Sequence, residues 1–546
     1  MKTPLLKIHS KDNVLVALED LKKGTTIAFE SLQIKLPQDI KAKHKLALTS
    51  MQAGDTITMY GTVVGEVQQA VTVGAALTTH NVRHIAETYG PRKAAVTWTP
   101  PDHTAWQNKT FEGFHRKDGQ VGTANYWLVI PLVFCENRNV AVLKDAFLEE
   151  LGFAQPNPYK QLVRQMVSEY KDGEQYKETA HTTSTMIPNT PIFHNIDGLK
   201  FLTHQGGCGG TREDAQMLCS LIAGYLNNPN VAGATILSLG CQNAQITLLQ
   251  EALQRINATF DKTVYFLEQQ QEGTEEKLLT KAIQKTFEGL IEANKTTRQP
   301  APLHKLTLGL ECGGSDGFSG ISANPAVGHA SDLIVALGGK TMLAEFPELC
   351  GVEQQLIDRS IDEDIAQKFV RLMKAYSDAA VAVGSGFDSN PSPGNIKDGL
   401  ITDAMKSAGA AKKGGTSPIT DVLDYGEYAK KHGLNLLCTP GNDVESTTAL
   451  AGSGANIILF TTGLGTPTGN PITPVIKIAS NTTLADRMPD IIDVDAGTIV
   501  TGEHSIEVMG AQLLDFIIQV ASGKIKTKAQ QLGQDDFIPW KRGVSL

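Results

Sequence analysis

HKLTLGLECGGSDGFSG (304–320) joins an apolar, β-rich run to a loop in which glycine is interspersed with Cys312, Ser315 and Asp316. A short apolar run bounded by glycines predicts a strand buried on both faces, the kind that parallel sheets contain. In such sheets ligands bind beyond the carboxyl ends of the strands, where glycine lets backbone N–H groups come close. The same texture recurs outward along the chain. LKFLTH (199–204) runs into QGGCGG, ATILSLG (234–240) into CQN, and ANIILFTTG (455–463) into LGTPTGN. WLVIPLVF (127–134) is a further buried strand, and EDAQMLCSLIAGYL (213–226) and EEKLLTKAIQKTFEGLIEA (275–293) have helical spacing. Strands alternating with helices predict parallel α/β layers.

The first ninety residues differ. VLVAL (14–18), DTITMYG (55–61) and TVVGEV (62–67) are short alternating runs between turn signals at Gly24, Gly54, Gly61 and Gly65, as in a small β module. Gly90 to Pro101 reads as a linker, the polar stretch near 155–195 as a helical excursion with loops, and RQPAPLHK (298–305) as a break between two α/β lobes. The expected layout is a β domain over 1–92, a linker over 93–112, an α/β domain over 113–300 and a Rossmann-like α/β domain over 301–546.

A chain of 546 residues with 41% hydrophobic and 20% charged residues is globular and too long for one core. A net charge of −9 argues against a nucleic-acid backbone or an anionic membrane as partner, and no apolar run is long enough to span a bilayer. The seven cysteines form no CxxC pair, which points to reduced thiols and a cytoplasmic enzyme; oligomeric state is open, with a homodimer as one expectation.

Cys208, Cys241 and Cys312 fall at predicted strand ends. Thiolates there could bind iron, and three of them could hold an iron–sulfur cluster with one iron left open. Cys135, Cys219, Cys350 and Cys438 read as small buried hydrophobes. His80 and His84 in THNVRH (79–84) would share one helix face, as a metal or anion site or simply as a solvated polar face. His204 is a candidate base or a hydrogen-bonded structural residue. Glu311 and Asp316 suit a hard divalent cation or a helix cap. The loops at 390–409 and 439–454 suit a polyhydroxylated acid, with Lys397, Lys406, Lys412 and Lys413 as sources of charge and Asp443 or Ser446 as caps.

LECGGSDGFSGISANPAVGHASD (310–332), AEFPELCGVEQ (344–354), NPSPGN (390–395), PGND (440–443), ALAGSGANIILFTTGLGTP (449–467) and DVDAG (493–497) resemble, in order, the signature of altronate and galactarate dehydratases. FHRKDGQVGTANYW (114–127), SLGCQNAQ (238–245) and EQQQ (268–271) fit it too, and KIHSKDNVLVALEDLKKG (7–24) with His80-Asn81 resembles the family's SAF β-clip domain. The resemblance spans nearly the whole chain and leans towards altronate dehydratase. It implies loss of water across C2 and C3 of an aldonate to give a 2-keto-3-deoxy acid, with Fe2+ or Mn2+ as cofactor. In role terms, His80 or His204 would be base or metal ligand, and Cys208, Cys241 and Cys312 with Glu311 and Asp316 would form or border the metal site. Asn81, Arg83, Asn243, Ser315 and Asn442 would bind substrate. The chain departs from the pattern at Met59, Ala76, Thr78, Ala124 and Leu464, where the family pattern has cations or histidines. Arg83, His84 and His115 are candidate substitutes, and another hexonate, a hexarate or a sulfonated hydroxy acid is the alternative substrate, for a lyase or an epimerase. A sugar-acid-binding protein without catalysis is the third reading.

Overall fold

The computed structural model describes residues 3–93, 95–155, 157–172 and 190–545. Of the polar excursion expected near 155–195, the helix Pro158–Lys171 is seen; Pro156 and Pro188 lie outside the described residues.

The N-terminal part is built from short antiparallel strands. Leu5–Leu6, Val14–Ala17, Lys45–Ala47 and Ala76–Leu77 form one sheet in that order, and Thr56–Met59, Thr62–Val67 and Val82–Arg83 form another. The alternating runs bury one set of side chains in a small core around Leu15, Ile34 and Leu46. A second set, including Val14, Met59, Val64 and Leu77, packs against Leu308, Phe346 and Met405 of the C-terminal lobe. The β module therefore shares a core with the lobe it sits on.

Both larger lobes are parallel sheets, as the glycine-terminated apolar runs predict. In the first, the strands run in the order Gly198–Phe201, Tyr126–Pro131, Val231–Ser238, Thr263–Glu268. In the second, seven strands run Ile419–Leu423, Gly433–Leu437, Lys340–Leu343, Thr307–Cys312, Ile457–Thr462, Val475–Ala479, Val494–Asp495. Alternation places Leu308, Leu310, Ile457 and Leu459 against the helices Ala323–Ala336 and Ile506–Ala521. Ile458 and Phe460, on the other face, share a core with Leu128, Ile130, Ala234 and Ile236 of the first sheet. The break near residue 300 is a change of sheet and leaves the two lobes joined by a common apolar layer.

Two helices, Arg212–Asn227 and Asp443–Gly452, cross inside that layer. They meet backbone to backbone: a Cβ on Gly224 would stand 1.8 Å from the Gly452 carbonyl oxygen. Each helix starts just after a strand-end loop, so their crossing sets two groups of loops side by side. The C-terminal segment then bridges the two lobes. Trp540 N–H donates to the Tyr425 hydroxyl at 2.8 Å, Arg542 makes a forked pair with Asp424 at 2.6 and 3.2 Å, and Ser545 bridges Gly210.

Candidate active site

Strand Thr307–Cys312 ends in Glu311 and Cys312, both buried, beside the loop that follows Lys340–Leu343. That loop turns through Glu345, whose φ of 68° is left-handed and unusual for a residue with a side chain. The turn aims its carboxylate back at strand 307–312. Glu345 Oε2 accepts from Cys312 N at 3.0 Å, from the Cys312 thiol at 3.3 Å and from Lys413 Nζ at 2.9 Å. Glu348, one short turn on, accepts from the same thiol at 3.1 Å and from Lys406 Nζ at 2.6 Å. Lys406 also donates to Asn390 Oδ1 at 2.9 Å. Ser446 donates to Glu311 Oε2 at 2.6 Å. Glu311 Oε1 and Glu345 Oε1 have no partner, so acceptor capacity is left over in a buried acidic group.

Above this group lies a cavity of about 470 Å³, lined by Cys312, Glu348, Asn390, Lys406, Asp443 and Leu464 among others. The charges divide its carboxyls into two kinds. Burial opposes ionisation of Glu348, but Lys406 and Lys413 overcome it and hold the group down at about 2. Burial, reinforced by Glu345 and Glu348, lifts Asp443 to about 7. Burial and neighbouring Glu345 push Glu311 up, and burial with Glu345 and Glu348 pushes the Cys312 thiol up. A fixed anion, a cation and an acid poised near neutrality thus face one space, the separation that acid–base chemistry requires. Among the described residues, two groups of three ligating side chains have ligand atoms within 4.8 Å of one another: Cys312, Glu345 and Glu348, and His84, Cys350 and Asp403. With one sulfur, two carboxylates and two spare oxygens alongside, the first set suits a divalent transition metal.

Asp316 is not one of these ligands. Its Oδ1 accepts from the N–H groups of Phe318 and Ser319 and from the hydroxyls of Ser319 and Ser480, and Oδ2 from Asn481 Nδ2 at 3.1 Å. Lys43 of the β module completes the set at 3.0 Å. Every lone pair is engaged, so Asp316 anchors the glycine loop and clamps the β module to it. Ser315 is buried and its carbonyl accepts from Asn395, while Asn442 is an exposed residue preceding the helix Asp443–Gly452.

The expected union of Cys208, Cys241 and Cys312 does not occur. Cys208 and Cys241 follow strands of the four-stranded sheet and Cys312 ends a strand of the seven-stranded one, Cys312 is grouped with Glu345 and Glu348, and Cys208 and Cys312 border different cavities. Cys208 borders a second cavity, of about 900 Å³, with His204, Asp214, Glu445 and Trp540. Cys135, expected to be buried, is exposed, and partial desolvation, with Cys208 and Cys241 nearby, pushes its thiol up. His204 is 5% exposed; Nε2 donates to the Pro131 carbonyl at 2.7 Å and Nδ1 accepts from Gly206 N at 3.1 Å, so both nitrogens are committed to the backbone. Burial lowers its pKa, leaving a neutral strut rather than a free base. Asn243 ties its loop to the Cys208 carbonyl at 2.9 Å.

His80 and His84 share no helix. His80 is exposed in the turn between Ala76–Leu77 and Val82–Arg83 and lines neither cavity. Asn81 holds that turn, accepting from Thr78 N and donating to the Ala76 carbonyl, and Arg83 pairs with Glu66 at 2.6 Å. His84 instead reaches Cys350 and Asp403, and His115 bonds the Pro300 carbonyl at 3.1 Å. Cation is supplied to the cavity by Lys406, and Leu464 lies in its wall. Sequence reading missed Glu345, Glu348 and the pairing of Lys406 and Lys413. The available signal was AEFPELC (344–350), two glutamates three apart after a buried strand, where a solvated loop would be the ordinary reading.

Comparison with known proteins agrees with this architecture. The family model for the altronate/galactarate dehydratase SAF domain matches residues 3–85, that for the D-galactarate dehydratase/altronate hydrolase second domain matches 113–294, and that for the D-galactarate/altronate dehydratase C-terminal domain matches 303–545. The altronate dehydratase of Bacillus subtilis (strain 168) is 34% identical over 99% of both chains, and that of Escherichia coli (strain K12) 32% identical over 99% of both. The galactarate dehydratase (L-threo-forming) of Escherichia coli (strain K12) is 31% identical, over 97% of this chain and 94% of its own. With three consecutive family models matched and full-length relatives of one reaction type, the chain belongs to the altronate/galactarate dehydratase family and is a sugar-acid dehydratase.

Proposed function

We propose that the protein dehydrates D-altronate to 2-dehydro-3-deoxy-D-gluconate in the cavity above Cys312. The observation that carries this is Asp443, held at about 7 beside the ammonium of Lys406. The C2 proton of an aldonate is weakly acidic, and its removal places a second negative charge beside the carboxylate. Asp443, ionised, is the assigned base, and Lys406, fixed by Glu348 and Asn390, is the cation that meets the carboxylate and the developing charge. Loss of the C2 proton and the C3 hydroxyl releases one water and leaves an enol that tautomerises to the ketone.

Cys312, Glu345 and Glu348 are assigned as holders of Fe2+, with Mn2+ as a substitute; when bound, such an ion supplies a Lewis acid for a substrate oxygen. Altronate is favoured over galactarate because Lys406 is the sole cation among the described lining residues and Leu464 stands in the wall, which suits a substrate with one carboxylate rather than two. Cytoplasmic location and a homodimeric state belong to the same reading.

Anaerobic enzyme supplied with ferrous iron should form 2-keto-3-deoxy acid from altronate and not from galactarate, other hexonates or sulfonated hydroxy acids. Turnover of galactarate with none of altronate would reverse the assignment, and binding without product would remove the enzymatic reading.

A further inference from the structure

We propose that Cys135, Cys208 and Cys241 together hold an iron–sulfur cluster at the carboxyl end of the four-stranded sheet, apart from the site assigned to altronate. Three loops converge there through bonds between their backbones. Phe134 N donates to the Gly206 carbonyl at 3.1 Å, Ala244 N to the Gly207 carbonyl at 3.0 Å, and Asn243 Nδ2 to the Cys208 carbonyl at 2.9 Å. Gly207, at a φ of 94°, lets the middle loop press onto Leu132, whose carbonyl oxygen an added Cβ would meet at 2.0 Å. Cys135 is thus one residue from these contacts, Cys208 takes part in one through its carbonyl, and Cys241 is two residues from another; Cys135 and Cys241 are exposed and Cys208 is half-buried.

Three thiols on converging loops point to the ligand. Sulfurs on one tetrahedral ion, with metal–sulfur bonds of about 2.3 Å, lie only about 3.8 Å apart. These three do not form a group within 4.8 Å. A cluster, in which each thiolate binds a different iron, does not require the sulfurs to be that close. The helices Asn137–Leu148, Arg212–Asn227 and Ile246–Ile256 begin shortly after the three cysteines, and their N-termini favour the negative charge of a thiolate-ligated cluster. Each ligation replaces an S–H bond by an S–Fe bond and releases one proton. Three protein ligands leave one iron of a four-iron cluster open, beside the cavity of about 900 Å³ that Cys208 borders. That iron would take water or a hydroxy-acid oxygen.

The protein is purified anaerobically, reconstituted with equal amounts of ferrous and ferric iron and with sulfide, so that no further oxidant is needed for a core of two ferric and two ferrous ions, and assayed for iron, acid-labile sulfide and visible charge-transfer absorption. Iron and sulfide in similar amounts are expected, with the retained iron falling about tenfold or more in Cys135→Ser, Cys208→Ser and Cys241→Ser. Cys312→Ser should keep the sulfide and the colour. As a check that does not depend on variants folding, alkylation of the reconstituted wild type should spare these three thiols together, whereas the metal-free protein is alkylated at all three. Iron without sulfide, colour that survives in all three variants, or loss of colour in Cys312→Ser alone would overturn the proposal. Dehydration of altronate is measured separately, so either assignment can fail without the other.

Discussion

Lys406 and Asp443 act on the same substrate through opposite charges, and single substitutions separate them. Lys406→Met removes the cation that faces the cavity and leaves Glu348 without its ion-pair partner; kcat/KM should fall by about 10²–10³-fold, as for loss of one preorganised charge-stabilising donor. Steady-state kinetics with altronate measures this, and a change of less than about threefold in kcat/KM would remove Lys406 from its role. Asp443→Asn tests the base. With Asp443 held at about 7, wild-type kcat/KM should rise as pH increases through about 7, because the ionised form takes the proton. The variant should lose most activity, and what remains should lack that limb. At this scale Glu311 and Cys312 were legible because they end a recognisable buried strand. Glu345, Glu348, Lys406 and Lys413 were not, since charges that cancel across sixty residues of sequence look like surface until the fold pairs them. Cys135 was misread for a related reason: it follows an apolar run, but the strand ends at Pro131 and the thiol turns out to solvent.

Strands and helices were the most legible level, because apolar runs ending in glycine have few other stable arrangements. What the pattern could not give was which loop ends meet, as that follows from strand order and helix crossing. The crossing of Arg212–Asn227 with Asp443–Gly452 is the decisive contact, and it has no room for a methyl group. Gly224→Ala must push the helices apart, so a loss of about 1–3 kcal/mol is expected from overpacking. Denaturant unfolding monitors it. Because Asp443 and Glu445 start one of these helices, the variant should also lose turnover; unchanged stability and unchanged kinetics together would show that the crossing is not tight.

Across the whole molecule, the β module and the C-terminal lobe meet at His84, Cys350 and Asp403 as well as at Lys43 and Asp316. Burial lifts Asp403 from 3.8 to about 8, against the hydrogen bond from Cys350 that lowers it. Between those values the folded chain keeps a proton that the unfolded chain has released, so stability falls as pH rises and levels off above about 8. Asp403→Asn abolishes this titration. Its melting temperature should gain on the wild type steadily from about pH 4 to about pH 8 and then hold a constant lead. Calorimetry across that range decides the matter, a pH-independent difference being the contrary result.

The segment from Phe537 to Ser545 walls the larger cavity and bridges back to Gly210. Chains fold domain by domain as they leave the ribosome. The loops that carry Cys135, Cys208 and Cys241 are therefore made well before residues 537–545, so the cluster proposed above would have its ligands on the chain before that cover is laid down. With the cover down, Trp540 rests on Tyr425 beside the cavity that Cys208 borders, so a fusion partner grafted after Leu546 is expected to change access to that cavity while leaving the exposed Cys135 and Cys241 within reach of solvent.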